Sequence, residues 1–148
     1  MTPNVILSIT MVILAIALKE TSGALTPDQL KKAIGMIRKA CQPKSGVSTD
    51  LIDAVNAGDF QDDRKLKCYM RCVLGMGQGM SSKGKLTYDV ALAYGKKMLP
   101  SDMLQKLTVA MEKCRHIGEE FAQLDACDLA FEFMKCMYNA DPELFQLP

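Results

Sequence analysis

The sequence holds little of what acid–base or metal chemistry usually draws on: its 148 residues include a single histidine, His116. A Ser-His-Asp triad would have to be built around that residue, and no nucleophile-elbow sequence accompanies it. The calcium loop of a secreted phospholipase is missing as well. An excess of charge of either sign is also lacking, with 18 basic against 17 acidic residues and a formal charge of +1. Without a cationic field there is little to hold a phosphate backbone, so no nucleic-acid partner is expected. The cationic groups Lys31, Lys32, Arg38 and Lys39, and later Lys83, Lys85, Lys96 and Lys97, read as solvated helix and loop faces because acidic residues are interleaved along the chain. Strand signals, internal repeats and low-complexity segments are absent too. Gly75, Gly77 and Gly79 do not form a phosphate loop, since no strand precedes them and no Gly-Lys-Ser/Thr follows. They are expected to end a helix, and a glycine there would also let a ligand approach the backbone closely.

Long hydrophobic runs are equally scarce. The segment from Val5 to Leu18, broken only by Ser8 and Thr10, is too short to cross the roughly 30 Å hydrocarbon core comfortably. It reads as the apolar region of a signal peptide, followed by the small residues Thr21, Ser22, Gly23 and Ala24, with cleavage after Gly23 or Ala24. Residues 1–24 are thus expected to be removed and residues 25–148 to form one extracellular domain. Met1 to Asn4 lack the usual Lys or Arg, and a membrane anchor is the alternative. All six cysteines, Cys41, Cys68, Cys72, Cys114, Cys127 and Cys136, lie beyond this leader. An even count in a secreted chain implies a disulfide framework, although the count leaves 15 pairings open. Oxidised cysteines leave too few ligands for zinc, and no cofactor is expected.

What the sequence does contain is helix signal. Thr26-Pro27-Asp28-Gln29 combines a hydroxyl cap, a proline at the first helical position and a glutamine that can reach back to the cap. Leu30, Ile34, Ile37 and Cys41 then share one face of a helix expected to end before Pro43. Further helices are expected from Ser48 or Thr49 to about Asn56, closed by Gly58; from Asp63 to Met76; from Tyr88 to Met98; from Ser101 to about Ile117; and from Asp125 to about Asn139. In the last of these, Asp128, Glu132, Lys135 and Asn139 share a narrow polar arc while the rest of the surface is apolar, which puts that helix in the middle of the domain. In the third, Cys68 and Cys72 lie on one side, and Leu66, Met70, Leu74 and Gly77 form a stripe on the other. Spacing alone reads that stripe as plain core before it reads it as a cavity wall.

The cysteines are separated by 26, 3, 41, 12 and 8 residues. This ordered set resembles the six-cysteine signature of insect odorant-binding proteins, the pheromone-binding ones included. Cys68-Tyr69-Met70-Arg71-Cys72 and the Cys127 to Cys136 interval stand where that pattern is tightest, and the resemblance covers essentially the whole expected mature chain. It implies the pairs Cys41–Cys72, Cys68–Cys127 and Cys114–Cys136, and an all-α fold of about six helices around an internal apolar pocket, tied by three interlocked disulfides. It also implies a binding protein, not an enzyme, that carries a small hydrophobic odorant or pheromone through aqueous lymph to a membrane receptor.

The expected pocket lies between Met70, Leu74 and Gly77 of the third helix and Ala130, Met134 and Met137 of the last, with Met80, Leu86 and Met111 completing its walls. Flexible, polarizable methionines suit a pocket of adaptable shape. In the tail Leu144, Phe145 and Leu147 are too apolar to stand free in water and are expected to cover or enter the pocket. His116 reads as a surface residue, with a pH sensor as the sharper alternative. A saposin-like or defence protein acting at membranes is the rival function, and a non-olfactory carrier a third. The oligomeric state is left open, a homodimer included.

Overall fold

Four of the helices start where a short polar side chain can satisfy free backbone N–H groups. A computed structural model describes residues 23–148, so the expected leader lies outside the described residues except for Gly23 and Ala24. Helix α1 (Pro27–Ser45) opens with a capping box: Gln29 N–H donates to Thr26 Oγ1 at 3.3 Å, and Thr26 N–H donates to the Gln29 side chain at 2.9 Å. Ser48 caps α2 (Thr49–Asn56), Asp63 caps α3 (Arg64–Met76) and Asp125 caps α7 (Ala126–Ala140). Between them lie α4 (Tyr88–Met98), α5 (Ser101–Lys113) and the single turn α6 (Ile117–Glu120). The fold is all-α, six main helices plus that turn, and among the described residues the one extended pairing is an isolated bridge between Met80 and Leu86. No described helix is long and apolar enough to cross a membrane.

Two helix ends differ from the sequence expectation. Helix α1 does not stop before Pro43 but runs through it to Ser45, where Gly46 adopts φ +70° and donates to the Gln42 carbonyl. A proline this close to the C-terminus removes only one helical bond. The last turn is also fastened from outside, since the Gln42 amide donates to Val47 O and Thr49 Oγ1, each at 3.3 Å. The fifth helix, expected to reach Ile117, ends at Lys113 instead. The hydroxyl of Tyr88 takes the place of its next hydrogen bond, donating to Cys114 O at 3.4 Å and accepting from Gly118 N–H at 3.2 Å. Those are the two backbone groups that a continuous helix would have joined to each other. A side chain inserted into the ladder breaks it there.

Helix α7 is the centre of the molecule, with Leu129, Ala130, Phe131, Phe133, Met134 and Met137 all buried. Its main partner is α3, which packs in turn on α1, while α4 and α5 form a hairpin. Disulfides Cys41–Cys72, Cys68–Cys127 and Cys114–Cys136 tie α1 to α3, α3 to α7, and the end of α5 to α7. They close loops spanning 31, 59 and 22 positions. The chain-entropy argument gives roughly 3 to 4 kcal/mol for each. The loop before α4 lies against the start of α7 at Gly84 (φ +76°), where a Cβ would come within 2.5 Å of Ala126 Cβ, so only glycine fits.

Candidate functional site: an apolar cavity

A cavity of about 320 Å³ lies among α1, α3, α4, α5, α7 and the C-terminal tail. Of the twelve residues singled out from the sequence, eight line it: Leu74 from α3 and Gly77 at its end, Met111 from α5, Met134 and Met137 from α7, and Leu144, Phe145 and Leu147 from the tail. The other four do not. Met70 and Ala130 have no exposed surface and belong to the packed core, one turn before the cavity begins on each helix. The α3 and α7 stripes therefore divide, their earlier residues packed solid and their later ones facing space. Met80 lines a separate open cleft beside Cys68 and Cys127, because its bridge to Leu86 holds both in the loop before α4. The Leu86 side chain faces Gly118 of α6.

Two walls were missed. From α1, Leu30, Ile34 and Ile37 line the cavity, with Leu25 ahead of the helix held by a 2.9 Å bond from its N–H to Met98 O. From α4 come Ala91, Tyr94, Gly95 and Met98. Both sets follow the i, i+3, i+4, i+7 spacing of an apolar helix face, which was the available signal. That spacing marks an apolar face without saying whether side chains or space lie against it.

The tail forms its wall because side chains from α2 and α3 hold it. The Asn56 amide grips the backbone of Leu147 in both directions, donating to its carbonyl at 3.0 Å and accepting from its N–H at 2.7 Å. Tyr69, fully buried, donates its hydroxyl to Pro148 O, and burial pushes the phenol above its ordinary pKa so that it stays a donor. Asp141 closes α7 by accepting from the N–H groups of Glu143 and Leu144, both at 3.1 Å. Phe145 turns one side to the cavity and packs against Phe60 and Tyr138, with ring centroids 6.1 and 5.6 Å away.

The wall is almost wholly apolar, and the residues with polar side chains on it are Tyr94, Asp141 and Gln146. Such a surface can exclude water and receive an apolar body, but it presents no nucleophile paired with a base. His116 is exposed, 3.7 Å from the Glu120 carboxylate, and takes no part in the wall. Among the described residues no group of three His, Cys, Asp or Glu side chains could hold a metal ion.

Known proteins resemble this chain in sequence and fold. The PBP/GOBP family pattern matches residues 23–140. General odorant-binding protein 72 of Anopheles gambiae is 33% identical over 120 residues, covering 81% of this chain and 97% of that one. Among solved structures, odorant binding protein 4 of Chrysopa pallens superposes with a TM-score of 0.75 at 31% identity, over 84% of this chain and 99% of its own. Odorant binding protein 7 of Anopheles gambiae, solved with four disulfide bridges and in complex with an azo compound, gives 0.66 at 26% identity, over 80% and 91%. These matches set the saposin-like alternative aside. The chain belongs to the PBP/GOBP family of insect odorant-binding proteins, carriers of hydrophobic ligands rather than enzymes.

Proposed function

We propose that residues 25–148 form a secreted carrier that holds a neutral odorant or pheromone in this cavity and brings it through aqueous lymph to a membrane receptor. The observation that carries this reading is the apolar wall around about 320 Å³, drawn from five helices and the tail. That volume sits at the lower end of the roughly 300–1,000 Å³ range of small-molecule sites, and suits a ligand of about 10 to 16 heavy atoms. Burying roughly 300 Å² of such a ligand at about 25 cal/mol per Å² gives on the order of 7 kcal/mol. Micromolar affinity corresponds to about 8 kcal/mol, so low-micromolar binding needs no ionic contact. Met111, Met134 and Met137 supply a wall that can reshape around different ligands. The azo compound bound by odorant binding protein 7 of Anopheles gambiae is a precedent within the same fold.

Displacement of an apolar fluorescent probe from the purified oxidised protein tests this. Leu74→Asp or Met134→Asp should abolish probe binding, whereas Glu132→Lys on the polar arc of α7 should leave it intact. A wild-type protein that binds no apolar probe, or substitutions of both kinds behaving alike, would overturn the proposal.

A further inference from the structure

We infer that Tyr94 is the specificity-determining residue of this cavity, its hydroxyl donating to the one acceptor oxygen of a ligand whose body is apolar. Ketones, aldehydes, esters and alcohols would then be retained in preference to hydrocarbons of the same shape. This rests on the cavity being the binding site, as proposed above.

The inference starts from what a ligand oxygen would meet. Placed deep among Leu74, Met111, Phe133 and Met134 it would lose its bonds to water and find no donor side chain, a loss on the order of tenfold to a hundredfold in affinity. The oxygen must therefore lie near a polar residue of the wall, and those with polar side chains are Tyr94, Asp141 and Gln146. The Asp141 side chain is already engaged as an acceptor with the N–H groups of Glu143 and Leu144. Gln146 is exposed on the tail as Tyr94 is on α4, but its longer flexible side chain costs more entropy to hold against a ligand than a tyrosine ring does. Tyr94 stands on α4 with 39% of its surface exposed, so it belongs both to the cavity wall and to the rim open to solvent.

The other tyrosines are committed elsewhere. Tyr69 holds the tail through Pro148, Tyr88 bridges Cys114 and Gly118, and Tyr138 packs against Gly58 and Phe145 outside the wall. The Tyr94 hydroxyl makes no hydrogen bond within the described residues, which leaves its proton available to a guest. A ligand would enter with its apolar body inward and its oxygen at the rim.

The test compares methyl nonyl ketone with dodecene, equal in heavy-atom count, as competitors of the fluorescent probe. Tyr94→Phe keeps the ring and removes only the hydroxyl. It should weaken ketone binding by about threefold to tenfold and leave dodecene binding unchanged, because a neutral hydrogen bond made in competition with water is worth about that much. Tyr88→Phe, which removes a hydroxyl outside the wall, should leave the ratio of the two affinities as in the wild type. If Tyr94→Phe shifts both ligands alike, or neither, the assignment of Tyr94 is wrong while the cavity reading stands. If the wild type binds neither ligand nor probe, the cavity reading fails and this inference with it.

Discussion

At their N-terminal ends α3 and α7 are clamped together, whereas one to two turns later the same helices face empty space. In the clamped region Arg64 meets Asp125 at 2.8 Å and Asp128 at 3.4 Å, and Lys67 meets Asp62 at 2.5 Å and Asp128 at 2.9 Å. Lys67 also lies 5.2 Å from the centre of the Phe131 ring. The Cα atoms of Cys68 and Cys127 are 4.6 Å apart, and Leu66, Met70 and Ala130 have no exposed surface. In the hollow region Leu74, Gly77, Met134 and Met137 continue the same apolar stripes against the cavity. The ion pairs at the exposed Arg64 and Asp62 contribute little and the partly buried Lys67–Asp128 pair only somewhat more, so the disulfide and the buried apolar groups must dominate the clamp. A domain held that firmly at one end can leave part of its interior unfilled at the other.

The strongest way to break this contrast is to open the clamp. Replacing Cys68 and Cys127 together by serine should cost about 4 kcal/mol of stability, as expected for a loop of this length. Denaturant unfolding measures it, and a loss far smaller than this would mean that the clamp does not depend on the bridge.

A paired comparison sharpens the contrast. Leu66→Ala, in the packed region, should cost about 2 to 5 kcal/mol, the range for emptying a filled core site. Leu74→Ala should cost clearly less, because part of its side chain already faces space, yet it should alter probe affinity more than Leu66→Ala does. Chemical denaturation and probe titration on both variants decide, and the reverse order would contradict the division of the stripe.

On the hollow side, Asn56→Ala removes both amide bonds to Leu147. The expected stability loss is about 1 to 2 kcal/mol, and ligand affinity should fall several-fold with the helical circular dichroism unchanged. Unaltered affinity would show that the tail is not needed as a wall.

The smallest effect should come from Asp125→Asn. The Arg64 hydrogen bond, with the N–H groups of Asp128 and Cys127, holds the Asp125 carboxyl well below the usual carboxylate range. A depressed carboxylate stabilises the fold above its unfolded pKa of about 3.9 and loses that contribution as pH falls through the folded value. Asparagine caps a helix about as well, so the variant isolates the ion pair. Thermal melts should show the wild type ahead of the variant at neutral pH, with the gap closing below about pH 4. A gap that stays constant down to strong acid would assign the effect to the cap instead.

Local chemistry made much of this molecule legible in advance. Thr26, Ser48, Asp63 and Asp125 cap helices because each side chain reaches N–H groups two or three residues away, an arrangement complete within the segment itself. The apolar wrap of α7 and the polar arc of Asp128, Glu132, Lys135 and Asn139 likewise follow from helix periodicity alone. What only the tertiary structure decided depends on groups far apart in the chain. Helix α5 stops because a hydroxyl from Tyr88, 26 positions earlier, takes the Cys114 carbonyl. The tail becomes a wall through Asn56, 91 positions away from Leu147. Above all, Met70 and Leu74 share one stripe, and periodicity assigns both to an apolar face. Whether that face meets another side chain or an empty volume is set by how the neighbouring helices are held apart, which no single helix encodes.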